Sequence, residues 1–383
     1  MRARVLAAGV LVAVVLAGVA AARSGTGAIA AASPAQLSKK SSVARHFEYV
    51  VNDRVVTVYD IDRAHRVVQR ISLPQMEDSH GIVAHPRSGR LFISYGGQGG
   101  SDGDGSMLAY DLLRGRVLWQ RDYSHGIDSI AITPNGKTIY LPAGEQSGDG
   151  RWFVIDPANG KEKGSISAGD GAHNTIVSLD GKLVFLAGVD HPYLVVARTD
   201  TNKVIREIGP LLSGGRPFTV NGRHTLTFMT VRGIVGFQVG DVATGKILYT
   251  VPVPGFTYDP ESFGHSPCHG ISLSPDEKQL YVIDTPNGYV HVFDVSGVPA
   301  SAPRHLADIK LPHAPPSDGW LQHSRNGRYV YVGRAGDVID TRTRKVVAYL
   351  PTIDDSADFI EIDWKRGRPV ATTSRYGLGY KTR

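Results

Sequence analysis

One short phrase returns seven times in this chain: an apolar run, a tight turn, and a second apolar run. The turns read RSGR, PNGK, LDGK, VNGR, PDEK, RNGR and KRGR, the first at 87–90 and the last at 365–368. Asn-Gly and Asp-Gly supply the positive φ values of tight hairpins, so each copy is expected to be two antiparallel strands. Such a repeat narrows the fold sharply, because one unit cannot bury its apolar face without its neighbours.

A second phrase alternates with the first, as in VVTVYDIDRAHRVVQRI, SMLAYDLLRGRVLWQR and YLVVARTDTNKVIREI. Each reads as a strand, a turn bearing Asp or Thr, and another strand. Four strands per unit at a period of about 40 to 55 residues is the signature of a β-propeller blade. Seven inner and seven outer hairpins predict an all-β, seven-bladed β-propeller of four-stranded antiparallel blades over residues 45–383. The outer phrase at 54–72 precedes any inner phrase, and the inner phrase at 358–373 has no outer phrase after it. The N- and C-terminal segments are therefore expected to share one blade, which removes open edges. FEYVVND at 47–53 and RPVATTS at 368–374 compete for the second strand there. No apolar stripe at helical spacing follows residue 45, and the single cysteine, Cys268, forms no intrachain disulfide. Burial between sheets must hold the fold.

PNGKTIYLP, LDGKLVFLAG, PDEKQLYVID and RNGRYVYVG, each followed by a strand with an Asp turn, resemble the YVTN or YncE-like family of seven-bladed propellers. The resemblance spans residues 45–375. Its motifs specify a blade and not a chemistry, so it implies the fold and leaves the function open.

The first residues bear on compartment. Arg2 and Arg4 precede an uncharged apolar stretch that ends in Ala20, Ala21 and Ala22. A basic start, an apolar middle and a small-residue exit predict a secretory signal peptide at 1–22 and an extracytoplasmic protein. The stretch would tether the chain to a membrane only if it stayed uncleaved. Residues 23–44, rich in Ala and Ser, are expected to be a disordered leader. Removing Arg2 and Arg4 from the net charge of +6 leaves +4, with no dense Lys/Arg block, so no nucleic-acid partner is expected. A closed propeller has no obligatory edge to pair, and a monomer is expected.

Candidate site residues follow from the repeat. Six positions before the proline-equivalent of each inner turn stand His80, Asp128, His173, Gly214, His269, Gly319 and Asp358. Each begins an innermost strand, so these side chains should converge on one rim of the central channel. Tyr123, His125, Arg216, Tyr258, His265, Cys268, Asp318 and Trp320 are expected in loops on the same face. Two readings stand side by side. In one, the polar ring lines a water-filled channel and does no chemistry. In the other, His80, His173 and His269 bind a divalent transition metal (Mn, Fe, Cu or Zn), with Asp128 or Asp358 as a further ligand or behind the ligands. Cys268 could add a soft ligand, though a lone cysteine is more often a small buried apolar residue. The run GSDGDGSM at 100–107 opens like a calcium loop but lacks the distal bidentate glutamate, and reads as a solvated loop.

Three function classes fit such a rim. The first is a lyase that cleaves a uronate-containing carbohydrate by β-elimination, its ligand an acidic oligosaccharide or another small anion. Arg216 or a metal would clamp the carboxylate, a histidine such as His125 would take the proton, and Tyr123 or Tyr258 would protonate the leaving oxygen. The second is a metal-dependent oxidoreductase or hydrolase. The third is a non-catalytic binding propeller of the cell envelope. No nucleophile elbow, Walker loop, Rossmann fingerprint or haem-attachment motif occurs.

Overall fold

The computed structural model describes residues 32–373, apart from positions 102, 265, 355 and 357 and the side chain of Gln98. The expected signal peptide, the start of the leader and the rim residue His265 lie outside the described residues. Among those described, twenty-nine strands form seven antiparallel sheets, six of four strands and one of five. Blades 1 to 6 occupy residues 79–123, 131–167, 172–208, 218–252, 271–310 and 321–349, and the chain ends share the seventh. The first strands of blades 1 to 6 touch their neighbours in turn, and Phe359–Lys365 of blade 7 touches the first strand of blade 1. The ring is a β-propeller, as the repeat predicts.

Burial falls from the channel outward. In blade 3 the first strand, Ala172–Val177, is buried along its whole length, while the fourth, Lys203–Ile208, buries only Ile208. Inner strands are sandwiched between neighbouring blades on both faces, so they read as continuous apolar runs; outer strands meet solvent. Burying each Leu, Ile, Val or Phe of such a strand contributes about 1.5–3 kcal/mol. No helix among the described residues is long and apolar enough to cross a membrane.

The inner turns differ in detail from two-residue hairpins. Gly136, Gly181 and Gly327 have φ near +70°, but the Asn or Asp before each does not. In blade 3 the Gly181 amide donates to Ser178 O at 2.8 Å, and Ser178 Oγ donates to Asp180 Oδ1 at 2.7 Å. These are four-residue loops in which only the last position is left-handed, clipped by a Ser–Asp, Ser–Asn or Thr–Asn side-chain pair. In blade 4 that left-handed position is His224, with φ 56°, and its amide donates to Asn221 O. The VNGR turn therefore sits two residues out of step with its counterparts.

Closure resolves the competition between the terminal strands. Arg45–Asn52 pairs with the outer edge of Phe359–Lys365, setting Phe47 opposite Ile362, and Arg368–Thr372 pairs with its other edge, setting Thr372 opposite Ile362. Both candidates are used, which makes this blade five-stranded instead of four-stranded. The leader is not wholly without structure either. Pro34–Ser38 is a short helix capped by Ser33 through a capping box with Gln36, and its Ala35 and Leu37 pack against the closing blade.

Candidate functional site

The strand pairing fixes which residues occupy equivalent points at the channel mouth. In blades 1 and 3 the first strand is bulged there: Ser79 and Gly81 pair with Tyr95 and Ser94, and Ala172 and Asn174 pair with Gly188 and Ala187. His80 and His173 are the extra residues, and a bulge re-aims the side chain it carries. Counting back from the inner turns gives Asp128 in blade 2 and His269 in blade 5. In blade 4 the two-residue offset of the turn moves the equivalent point to Arg216, correcting the expectation of Gly214.

The glycines that follow His80 and His125 have a steric cause. A Cβ on Gly81 would lie 2.8 Å from Ser94 Oγ and 2.9 Å from Ile130 N; on Gly126 it would lie 2.2 Å from Ala143 O. Neither has a positive φ. They allow close passage of one backbone segment beside another.

Four blades bring charged groups together at the mouth. His173 Nδ1 lies 2.8 Å from Asp128 Oδ2 and 3.5 Å from Glu145 Oε2. The Arg216 guanidinium donates to Glu145 Oε1 at 3.0 Å, and its Nη2 lies 2.8 Å from Glu145 Oε2 and 3.6 Å from Asp318 Oδ2. The His269 ring lies 5.7 Å from that of His173, and both pack against Trp320, at 4.6 and 5.9 Å. His269 Nδ1 faces Gly319 O at 3.3 Å. His173 and His269 are only 4% and 1% exposed, and neither Nε2 has a hydrogen-bond partner. Burial presses the His269 pKa well below its ordinary value against the opposing pull of Asp318, with Arg216 and His173 adding to burial. That ring is neutral at physiological pH and keeps a lone pair.

The remaining predicted residues are placed differently. His80 Nε2 contacts Asp78 at 3.0 Å and accepts from the Gly99 amide at 3.2 Å. Burial works against its charge, but Asp78, Asp128 and Asp358 together hold its pKa above the ordinary value. Asp358 accepts from Ser79 Oγ at 2.8 Å. Among the described residues, His80, His173 and His269 do not gather as one ligand set; the group with metal-ligand spacing at this end is Asp128, Glu145 and His173. Glu145, which reaches in from the loop after the second strand of blade 2, carries no repeat signal and escapes sequence reasoning.

Tyr123 and His125 belong to the outer part of the ring. Tyr123 ends the fourth strand of blade 1 and donates to Gly160 O at 2.9 Å, while His125 stacks on Phe153 at 3.5 Å. Tyr258 accepts from the Gly233 amide at 2.8 Å. Cys268 is fully buried among apolar residues, and its Sγ accepts from the Gly236 amide at 3.2 Å. Burial pushes its thiol far above the ordinary range, which makes it an inert core residue in place of the soft ligand weighed above. A separate cavity of about 290 Å³ is lined by the opposite ends of the first strands of blades 1 to 3 and by Arg325.

No protein-family model matches the chain, and no curated protein matches it. Solved structures do. A functionally unknown protein from Desulfotomaculum acetoxidans is 12% identical, with TM-score 0.64, over 82% of this chain and 98% of its own. Hydrazine synthase of Kuenenia stuttgartiensis is 17% identical, with TM-score 0.53, over 80% and 88%. A chain of the mitotic checkpoint complex is 13% identical, with TM-score 0.58, over 75% and 80%. At these identities the likeness extends to the propeller fold alone.

Proposed function

We propose that this protein is an exported β-propeller that holds a divalent transition-metal ion at its channel mouth, with His173 and His269 as nitrogen ligands. One observation carries the reading. Both imidazoles are buried, both have Nδ1 against an acceptor (Asp128 and Gly319 O), and both leave Nε2 unpartnered in one cluster of rings. A metal-ligating histidine is held in this way, its second nitrogen bound to a carboxylate or backbone carbonyl that fixes tautomer and orientation. An unpartnered buried nitrogen otherwise costs about 1–3 kcal/mol. Asp128, Glu145 and Asp318 outnumber Arg216, so the surroundings favour a cation. Export rests on the Arg2/Arg4 leader with its apolar stretch.

The same geometry does not favour β-elimination on a uronate. Arg216 is already engaged by Glu145 and Asp318, and Tyr123 and Tyr258 hold their hydroxyls on backbone groups away from the buried histidines. A second reading, acid–base catalysis without metal, draws on the 2.8 Å Asp128–His173 contact, which would orient Nε2 as a base.

Elemental analysis of the purified protein separates the two. The metal reading expects His173→Ala/His269→Ala to lose one equivalent of Mn, Fe, Cu or Zn and His80→Ala to keep it. Equal metal content in the wild type and the double variant, after reloading with each ion, would sink it and leave the Asp128–His173 base.

A further inference from the structure

A second group of metal-ligand type lies in blade 5. We infer that His291, His305 and Asp308 form a solvent-accessible site for a divalent transition-metal ion, separate from the channel mouth. His291 lies on the third strand of the blade, Tyr289–Asp294; His305 and Asp308 lie on the fourth, Arg304–Lys310. In a regular strand, positions three apart face opposite sides. Here Phe293 pairs with His305 and Val292 with Ala307, so Leu306 is the extra residue of a bulge. The bulge turns His305 and Asp308 to one face, where Asp308 stands directly opposite His291.

Both rings converge on a single oxygen. His291 Nδ1 and His305 Nε2 each lie 2.7 Å from Asp308 Oδ1. The three potential ligand atoms fall within 4.8 Å of one another. Behind His291 stands Asp284, fully buried, with Oδ2 3.2 Å from His291 Nε2. Asp284 also accepts from the Asn287 side chain at 2.9 and 3.0 Å and from its amide at 3.2 Å. In the tautomer with the ring proton on Nε2, donated to Asp284, Nδ1 turns its lone pair to the Asp308 carboxylate. Two acceptors 2.7 Å apart repel unless a proton or a metal ion lies between them. A carboxylate–histidine–metal arrangement provides the metal ion, with Asp284 as the outer carboxylate.

Access and ligand chemistry agree with this assignment. The His291 side chain is buried, but those of His305 and Asp308 are 24% and 34% exposed, so an ion can enter from solvent and keep water in its open positions. Phe256 packs edge-on against His291 at 4.5 Å and fixes the ring from the side. Two imidazoles and a carboxylate suit zinc, cobalt, nickel or copper better than calcium or magnesium, which prefer oxygen.

The test uses the full chain carrying His173→Ala/His269→Ala, so that metal at the channel mouth does not contribute. Equilibrium dialysis against Co²⁺ at neutral pH should give one bound equivalent with a visible d–d absorption band. Adding His305→Ala should remove the band and weaken binding at least tenfold, as should Asp308→Asn; both side chains are partly exposed, so circular dichroism should stay native. Binding below a tenth of an equivalent would overturn the inference and make His291 an imidazolium shared by Asp284 and Asp308. So would a bound cobalt indifferent to His305→Ala and Asp308→Asn. A failure of the channel-mouth reading alone looks different: the wild type then binds one equivalent, and only the blade 5 changes remove it.

Discussion

His323 offers the sharpest quantitative test of how this fold meets acid. It sits in the first strand of blade 6, 1% exposed, with Nδ1 2.8 Å from Ser272 Oγ and its ring edge-on to Tyr281. Burial lowers its pKa from 6.5 to about 3, with Asp276 opposing weakly. The unfolded chain therefore takes up a proton near pH 6.5 that the folded chain refuses until about pH 3, and acid favours unfolding. Linkage makes the full cost about 5 kcal/mol below both values, of which about 2 kcal/mol falls between pH 7 and pH 5. His323→Gln should be less stable at pH 7 by about 1–3 kcal/mol, because Ser272 and Tyr281 lose their fitted partner. The gap to wild type should then narrow by about 2 kcal/mol at pH 5. Urea unfolding at pH 7, 6 and 5, followed by tryptophan fluorescence, reads this directly. Wild-type and variant stabilities that fall in parallel across that range would refute the reasoning.

Three further outcomes follow from the geometry. Gly126→Ala drives a methyl group into Ala143 O and should destabilise by about 1–3 kcal/mol, seen as a lower thermal midpoint, where Gly148→Ala at a position open to solvent should cost less than Gly126→Ala. Cys268 should react with a thiol reagent only after denaturant is added, and Cys268→Ser should leave the metal content unchanged; native-state labelling counts the reactive thiol. His46, held near pKa 10 by Asp363 and Glu361 against burial, contributes stability that is complete below pH 6.5 and lost as pH rises through 10. Wild type should weaken between pH 8 and 10 more steeply than His46→Gln.

The propeller is legible in the sequence because each blade repeats the same turn chemistry, and a left-handed glycine after a Ser–Asp, Ser–Asn or Thr–Asn clip leaves a visible mark. The blade 4 register is not, because His224 takes the left-handed position that glycine fills in blades 2, 3 and 6, and the neighbouring Asn-Gly offers a false alignment. That two-residue shift separates Gly214 from Arg216. His173, Asp128 and His269 are found by counting along the repeat. Glu145 is not, since it arrives from a loop of no fixed length. Tyr123 and His125 mislead for the opposite reason: closeness in sequence to the channel mouth does not carry a side chain inward from an outer strand. His291, His305 and Asp308 leave no spacing signal, because the bulge that unites them exists only in the strand pairing.

The shared blade also gives the ring a clasp. His46 and Glu361 touch although 315 positions separate them in sequence, and bringing such distant points together costs about 5 kcal/mol of chain entropy before any contact offsets it. Six blades are continuous stretches that can form as the chain emerges; the seventh must wait for both ends. Until residues 359–372 arrive, the strand Arg45–Asn52 has an open edge able to recruit a stranger. Residues 359–372 are therefore the part that locks the whole, and removing them would unfasten a circle and not merely shorten a tail.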